Sequence, residues 1–218
     1  HHAWRGHDPV PVPMVPGHEY AGTIAAVGRD VAGRQVGDRV TVPFVLGCGR
    51  CRWCAAGDQH VCPDQQQPGF TRDGSWAELV AVPAAQANLV RLPDEVSMSA
   101  AAALGCRFAT AARAVRRLGR PGLDDWVVVH GCGGVGLSSV MVAHSLGARV
   151  LAVDPDLAAR DLAVELGAEV TLDPTALDDP DGVVDAVREL TGGGAAVSLD
   201  AVGSAEILRS CLHSLRPR

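Results

Sequence analysis

Nowhere in its 218 residues does the chain carry an uninterrupted apolar run of the roughly 18 residues that a membrane span needs, which excludes a transmembrane helix and makes a membrane partner unexpected. Basic stripes and arms are missing, and the formal charge is −6, so nucleic acid is not an expected partner. There is no secretory leader, and the first residue is His1 rather than Met. The expectation is a cytoplasmic protein whose natural N-terminus lies further upstream. Internal repeats and low-complexity linkers are absent too. Hydrophobic residues at 47% against 20% charged give a globular rather than a disordered balance. The length suits one large domain or two small ones.

Cysteine, by contrast, is concentrated. Of seven, four fall together as Cys48-x2-Cys51-x2-Cys54-x7-Cys62. In a cytoplasmic protein such bunching points to metal rather than disulfides. Four thiolates can close a tetrahedral zinc shell, and with every position a Cys none is left for water, so the site reads as structural. An iron–sulfur cluster is the alternative for a similar run. Gly47, Gly49 and Gly57 supply turns, and His60 is a rival ligand inside the lobe. Around Trp53 apolar residues are few, so the lobe depends on its ion for shape. Cys132 and Cys211 have no partners nearby in sequence and read as spectators.

A second concentration is glycine. Trp126-Val127-Val128-Val129 reads as a buried strand, and Leu137, Val140, Met141 and His144 follow at helical spacing. Between them stands Gly131-Cys132-Gly133-Gly134-Val135-Gly136. A strand-to-helix turn of this kind offers backbone N–H groups to a dinucleotide pyrophosphate. Gly131 allows the tight turn, Gly133 lets the phosphates approach, and Gly136 lets helix and strand pack. Residues 149–153 read as the next strand and end in Asp154, near the roughly 20-residue spacing expected of a ribose-binding carboxylate. That carboxylate would repel a 2′-phosphate, which favours NAD over NADP.

The remaining chain fits around these two features. Residues 1–60 are rich in Pro and Gly, with short apolar runs at 22–27 and 35–42, and further strands are expected at 77–82 and 89–92. Alanine-rich residues 100–104 and 109–118 read as crossover helices, capped by Ser97 or Ser99. Beyond Trp126 strands and helices alternate: helices over 156–166, 181–190 and 204–215, strands over 169–172 and 195–199, and a solvated loop over 174–180. Such alternation means a parallel, doubly wound sheet, with about four strands where six are usual. The domains are set at 1–122, holding the lobe at 47–63, and 123–218.

Taken together, His2, Gly17-His18-Glu19-Tyr20-Ala21-Gly22, the four-Cys lobe, Leu104-Gly105-Cys106 with Thr110, the glycine turn, Asp154 and Leu199-Asp200-Ala201-Val202-Gly203 resemble the zinc-dependent medium-chain alcohol dehydrogenases. The resemblance runs along essentially the whole chain. It implies a GroES-like β-barrel catalytic domain, a doubly wound Rossmann domain binding NAD, and a cleft between them, incomplete at both termini. It implies His18 and Cys106 as ligands of a catalytic zinc, Glu19 as a carboxylate able to swing onto it, and His2 as a proton-relay histidine. His1-His2 is alternatively the remnant of a purification tag. Gly131, Gly133, Gly134, Val135, Gly136, Asp154, Thr110 and Val202 would contact the cofactor, and Arg107 and Phe108 are candidates to line the substrate pocket. The implied reaction is NAD-dependent oxidation of an alcohol to an aldehyde or ketone (EC 1.1.1.-), in a full-length homo-dimer or homo-tetramer. A first Cys ligand of the catalytic zinc would precede this chain. The rival readings are a zinc-free quinone or enone reductase and a non-catalytic, zinc-stabilised nucleotide-binding fragment.

Overall fold

The computed structural model describes residue 6 and residues 10–177 and 182–217. The chain divides into two compact units, one ending at Cys106 and the other beginning at Arg107.

In the first unit, strands β1 (Ala21–Thr23), β2 (Arg39–Thr41) and β3 (Val90–Arg91) form an antiparallel sheet in that order. Ile24, Val40, Val42, Leu46 and Leu89 make its core. Short helices α1 (Arg52–Ala55), α2 (Ala85–Asn88) and α3 (Met98–Ala102) complete the unit, the last capped by Ser97, whose hydroxyl accepts from Ala100 N–H at 3.2 Å. The strand expected over 77–82 does not form. Those residues and 21–27 line a cavity of about 850 Å³, so neither segment finds a ladder partner in the other, and the run at 22–27 contributes only its first residues to β1. A strand needs a neighbour for its backbone groups, whatever its side-chain pattern.

In the second unit four parallel strands stand in the order β6-β5-β4-β7: β4 (Trp126–His130), β5 (Arg149–Val153), β6 (Val170–Leu172) and β7 (Val197–Asp200). They alternate with α5 (Gly134–Ser145), α6 (Leu157–Glu165), α7 (Gly182–Thr191) and α8 (Ala205–His213). All of β4 is buried, and its residues divide by face. Val127 and Val129 pack with Val140 and Ala143 of α5 and Ala163 of α6, while Trp126 and Val128 pack with Val183 and Val187 of α7. A sheet covered on both faces explains why its strands read as continuous apolar runs. Each such Val contributes about 1.5–3 kcal/mol relative to exposure. The buried side of α5 is Gly136, Ser139, Val140, Val142 and Ala143 rather than the expected stripe, and Met141 and His144 are exposed. The helix lies in a groove between the sheet and the residues after Arg107, so its buried arc is shifted and broad.

Those residues are less regular than expected. Leu104–Phe108 and Ala114–Gly119 are π-helical, on either side of α4 (Ala109–Arg113). Alanine enrichment signals helix but carries no mark of the wider turn, which is set by packing: Val115 is fully buried in the sheet core and Phe108 packs against it. Among the described residues no helix is long and apolar enough to cross a membrane.

β4 ends in a buried histidine. His130 is 1% exposed, and neither ring nitrogen has a hydrogen-bond partner. Burial pushes its pKa down to about 4, with the Asp200 carboxylate acting in the opposite direction. The folded value lies below the unfolded one of about 6.5, so as pH falls the unfolded chain takes up the proton first. Stability should therefore be lost between about pH 6.5 and 4, by roughly 3 kcal/mol. Urea titrations across that window should show the acid loss in the wild type and a flatter profile in His130→Leu; parallel profiles would contradict it.

Candidate functional site

The strand order places the topological switch between β4 and β7, since β5 and β6 lie on one side of β4 and β7 on the other. In such sheets ligands bind at the carboxyl ends of the strands on either side of the switch. The glycine turn leaves β4 there, and the turn after Asp200 leaves β7, with Asp200 Oδ1 accepting from Val202 and Gly203 N–H, both at 2.8 Å.

The glycines of the first turn have distinct neighbours. Gly131 has φ +91°, and a Cβ there would meet Val202 Cγ2 at 2.7 Å, so the turn needs glycine both for its backbone and for Val202. At Gly136 a Cβ would run into the Gly131 carbonyl oxygen, which fixes how closely α5 approaches the turn. At Gly133 a Cβ would meet nothing within 4 Å. Gly133 is also the N-cap of α5 and has no side chain to cap it, unlike Ser97, Asp156 and Ser204 at their helices. Open space therefore lies over an uncapped helix N-terminus, the form of an anion seat. Asp154 braces it: Oδ2 accepts from Cys132 N–H at 2.6 Å and Oδ1 from Asp156 N–H at 2.8 Å. Arg160 is tied to the Asp154 carbonyl at 2.6 Å and to Asp173 at 3.0 Å. This geometry fits a dinucleotide.

In the first unit the four-Cys lobe assembles as expected. The Sγ atoms of Cys48, Cys51, Cys54 and Cys62 all lie within 4.8 Å of one another, with Cys51 to Cys62 at 3.8 Å. Tetrahedral zinc with bonds of about 2.3 Å puts its sulfurs ~3.8 Å apart, so the donor set fits that ion. All four cysteines are free. Cys48 and Cys54 N–H donate to Cys62 and Cys51 Sγ at 3.4 and 3.5 Å. Backbone N–H groups of Arg50 and Cys51 hold the Cys48 thiol down at about 6, while burial pushes Cys54 up to about 11. Sequence reasoning missed Asn88, which roots the lobe. Its Oδ1 accepts from Gly47 N–H at 3.0 Å, and its Nδ2 donates to the Gly47 and Pro83 carbonyls, each at 2.9 Å. The signal was a lone polar residue in an apolar stretch, which is common in loops.

The other expected ligands, His18-Glu19 and Cys106, lie on two segments. Residues 15–17, just before His18, are held by Gly74, Ser75 and Trp76, whose N–H groups donate to the carbonyls of Val15, Gly17 and Pro16 at 2.7, 3.0 and 2.9 Å. The His18 ring packs on Phe44 and Phe70, with centroids 4.8 and 5.4 Å away. Phe44 N–H in turn donates to the carbonyl of Gly105, the neighbour of Cys106, at 2.8 Å. The His18 and Cys106 segments thus share Phe44. Among the described residues the four-Cys lobe is the one group of three or more possible ligands within such reach; His18, Glu19 and Cys106 do not form a second. His2 lies outside the described residues. Phe108 packs against the sheet core instead of serving only a pocket, and Arg107 lies over Gly134.

Two family models match the chain, the alcohol dehydrogenase GroES-like domain over residues 1–94 and the zinc-binding dehydrogenase domain over 134–218. The chain belongs to the zinc-dependent medium-chain alcohol dehydrogenases. An alcohol dehydrogenase of Geobacillus stearothermophilus is 36% identical over 219 residues, covering 99% of this chain and 62% of that protein. A geraniol dehydrogenase of Castellaniella defragrans is 35% identical over 232 residues, covering 96% and 61%. The solved alcohol dehydrogenase TADH from Thermus sp. ATN1 superimposes with a TM-score of 0.91 at 32% identity, covering 99% of this chain and 63% of that one. The chain therefore spans about three fifths of the relatives it matches. Its two units carry the GroES-like and Rossmann halves of this dehydrogenase architecture.

Metal removal tests the lobe. Cys62→Ser should lower zinc content by one ion per chain and cost at least ~2 kcal/mol of stability. Chelation of the wild type should bring its melting temperature toward that of the variant. Freely reacting thiols and no bound metal in the wild type would contradict the assignment.

Proposed function

We propose that this chain is the larger part of an NAD-dependent zinc alcohol dehydrogenase interconverting an alcohol with its aldehyde or ketone. The observation that carries the reading is the braced, uncapped glycine turn at the switch point, in a chain of this family. In this reading His18 and Cys106 are catalytic zinc ligands, Glu19 is a carboxylate in reserve beside His18, and His2 is the relay. Zinc supplies a Lewis acid that lowers the pKa of the substrate hydroxyl, and NAD accepts the hydride. The chain's own contribution is positional. Phe44 and Phe70 hold the His18 ring in place. The 133–136 N–H groups receive the pyrophosphate, Asp154 receives the adenosine ribose hydroxyls, and Val202 and Thr110 border the nicotinamide end. The four-thiol lobe argues against a zinc-free quinone or enone reductase. The full-length protein is proposed to be a cytoplasmic homo-dimer or homo-tetramer.

Asp154 gives the sharpest test of cofactor choice. A carboxylate at the end of β5 accepts from ribose hydroxyls and repels a 2′-phosphate. Asp154→Ala should weaken NADH binding about tenfold and raise NADPH affinity relative to NADH by at least that factor. Fluorescence titration of both nucleotides measures the ratio, and an unchanged ratio would refute the role. Turnover belongs to the full-length parent, screened over a panel of primary and secondary alcohols. NADH binding with no turnover there would favour a non-catalytic module.

A further inference from the structure

Asn88 is 1% exposed, and backbone groups engage its whole side-chain amide. Its Oδ1 accepts from Gly47 N–H at 3.0 Å, and its Nδ2 donates to the Gly47 carbonyl at 2.9 Å. Both backbone polar groups of Gly47 are therefore bonded to one side chain, which fixes the orientation of the residue as well as its position. Nδ2 also donates to the carbonyls of Pro83 at 2.9 Å and Ala84 at 3.3 Å. Those residues lead into α2, and Ala84 is left-handed, with φ +45° and ψ +51°. An alanine holds that backbone only where its surroundings impose it. Asn88 thus ties the start of the four-Cys lobe to the turn that begins its own helix.

Gly47 in turn bears on two of the four thiols. It is bonded to Cys48, so its orientation sets where the Cys48 side chain begins. A Cβ on Gly47 would lie 2.8 Å from Cys54 Sγ and 3.0 Å from Gln59 Cβ, so the glycine lies directly against the Cys54 sulfur. Gly49 makes a further contact with α2: a Cβ there would lie 3.0 Å from Ala87 Cβ. The loop that carries Cys48 therefore rests on α2 on both sides of that cysteine. The four Sγ atoms lie within 4.8 Å of one another, a cage that like-charged thiolates would open if the backbone behind them were free to move. Outer contacts that fix the ligands are a general determinant of how tightly a metal is held.

We propose that Asn88 is a positioning residue for the lobe metal. Through the Gly47 peptide it holds the Cys48 and Cys54 thiolates at the spacing a tetrahedral ion needs, and so sets how slowly the ion leaves. The proposal rests on the lobe's holding zinc. It makes metal retention depend on a residue outside the cysteine run, and on a glycine at 47 that leaves room for the Cys54 sulfur.

Zinc transfer from the chain to an excess of chromogenic chelator tests it, at a temperature well below melting. Asn88→Ala should release zinc about tenfold faster than the wild type. Asn88→Asp keeps the acceptor for Gly47 N–H but loses the donors, and should fall between the two. Gly47→Ala keeps both backbone groups that Asn88 binds but pushes a methyl group onto Cys54, and should also release zinc faster. Val40→Ala thins the core of the same unit and makes none of these contacts. It should melt at a lower temperature yet release zinc within about twofold of the wild-type rate. With cobalt in place of zinc, the visible bands of thiolate coordination should shift in Asn88→Ala and Gly47→Ala and stay in place in Val40→Ala. Should Asn88→Ala fail to fold, Asn88→Asp and Gly47→Ala supply both readouts. Wild-type release rates and an unshifted cobalt spectrum in the Asn88 variants would overturn the positioning role while leaving the zinc lobe standing. An equal acceleration in Val40→Ala would do the same, since release would then follow the stability of the fold. A wild type that holds no zinc would overturn both.

Discussion

The contact on which the second unit depends is the approach of α5 to the turn that precedes it. Gly136 sits against the Gly131 carbonyl, so close that a single methyl group could not be inserted. That approach holds the first N–H groups of α5 at the end of β4 rather than beside it. Val202 then closes on Gly131 from the β7 side, Asp154 accepts from Cys132 on the β5 side, and Arg107 lies on Gly134. Three strands and the segment after Cys106 thus converge on six residues. Such convergence over-determines the backbone, and a binding site needs that rigidity if its donors are to be in place before the ligand arrives.

The first unit uses a different solution. Its sheet has three short strands and a small core, too little apolar material to fix the loop at 47–63 by packing. Four converging sulfurs and the Asn88 clamp on the Gly47 peptide do that instead. A loop held by a metal costs little core, which suits a segment whose residues are mostly exposed.

Much of this was legible in the chain. Strand–helix alternation from Trp126 onward depends on local periodicity, and the sheet formed as read because each strand has a partner on at least one side. The cysteine lobe was legible because its ligands are close in sequence. Residues 77–82 misled because alternation shows what a strand would bury, not whether a neighbour exists. The π-helical turns, the unpartnered His130 and the position of Arg107 left no mark, since each is decided by residues far away along the chain, and Asn88 showed only as a lone polar residue. The proposed catalytic ligands were legible only through family resemblance: His18-Glu19 and Cys106 stand on two separate segments, and no spacing rule joins them.

The central claim is that the open ground over Gly133 is a dinucleotide seat. A crystal structure of the chain grown with NADH addresses it most directly. The account predicts the pyrophosphate over the Gly133–Gly136 turn and the adenosine ribose hydroxyls on Asp154. Cofactor bound elsewhere on the sheet, with that turn left open, would contradict it.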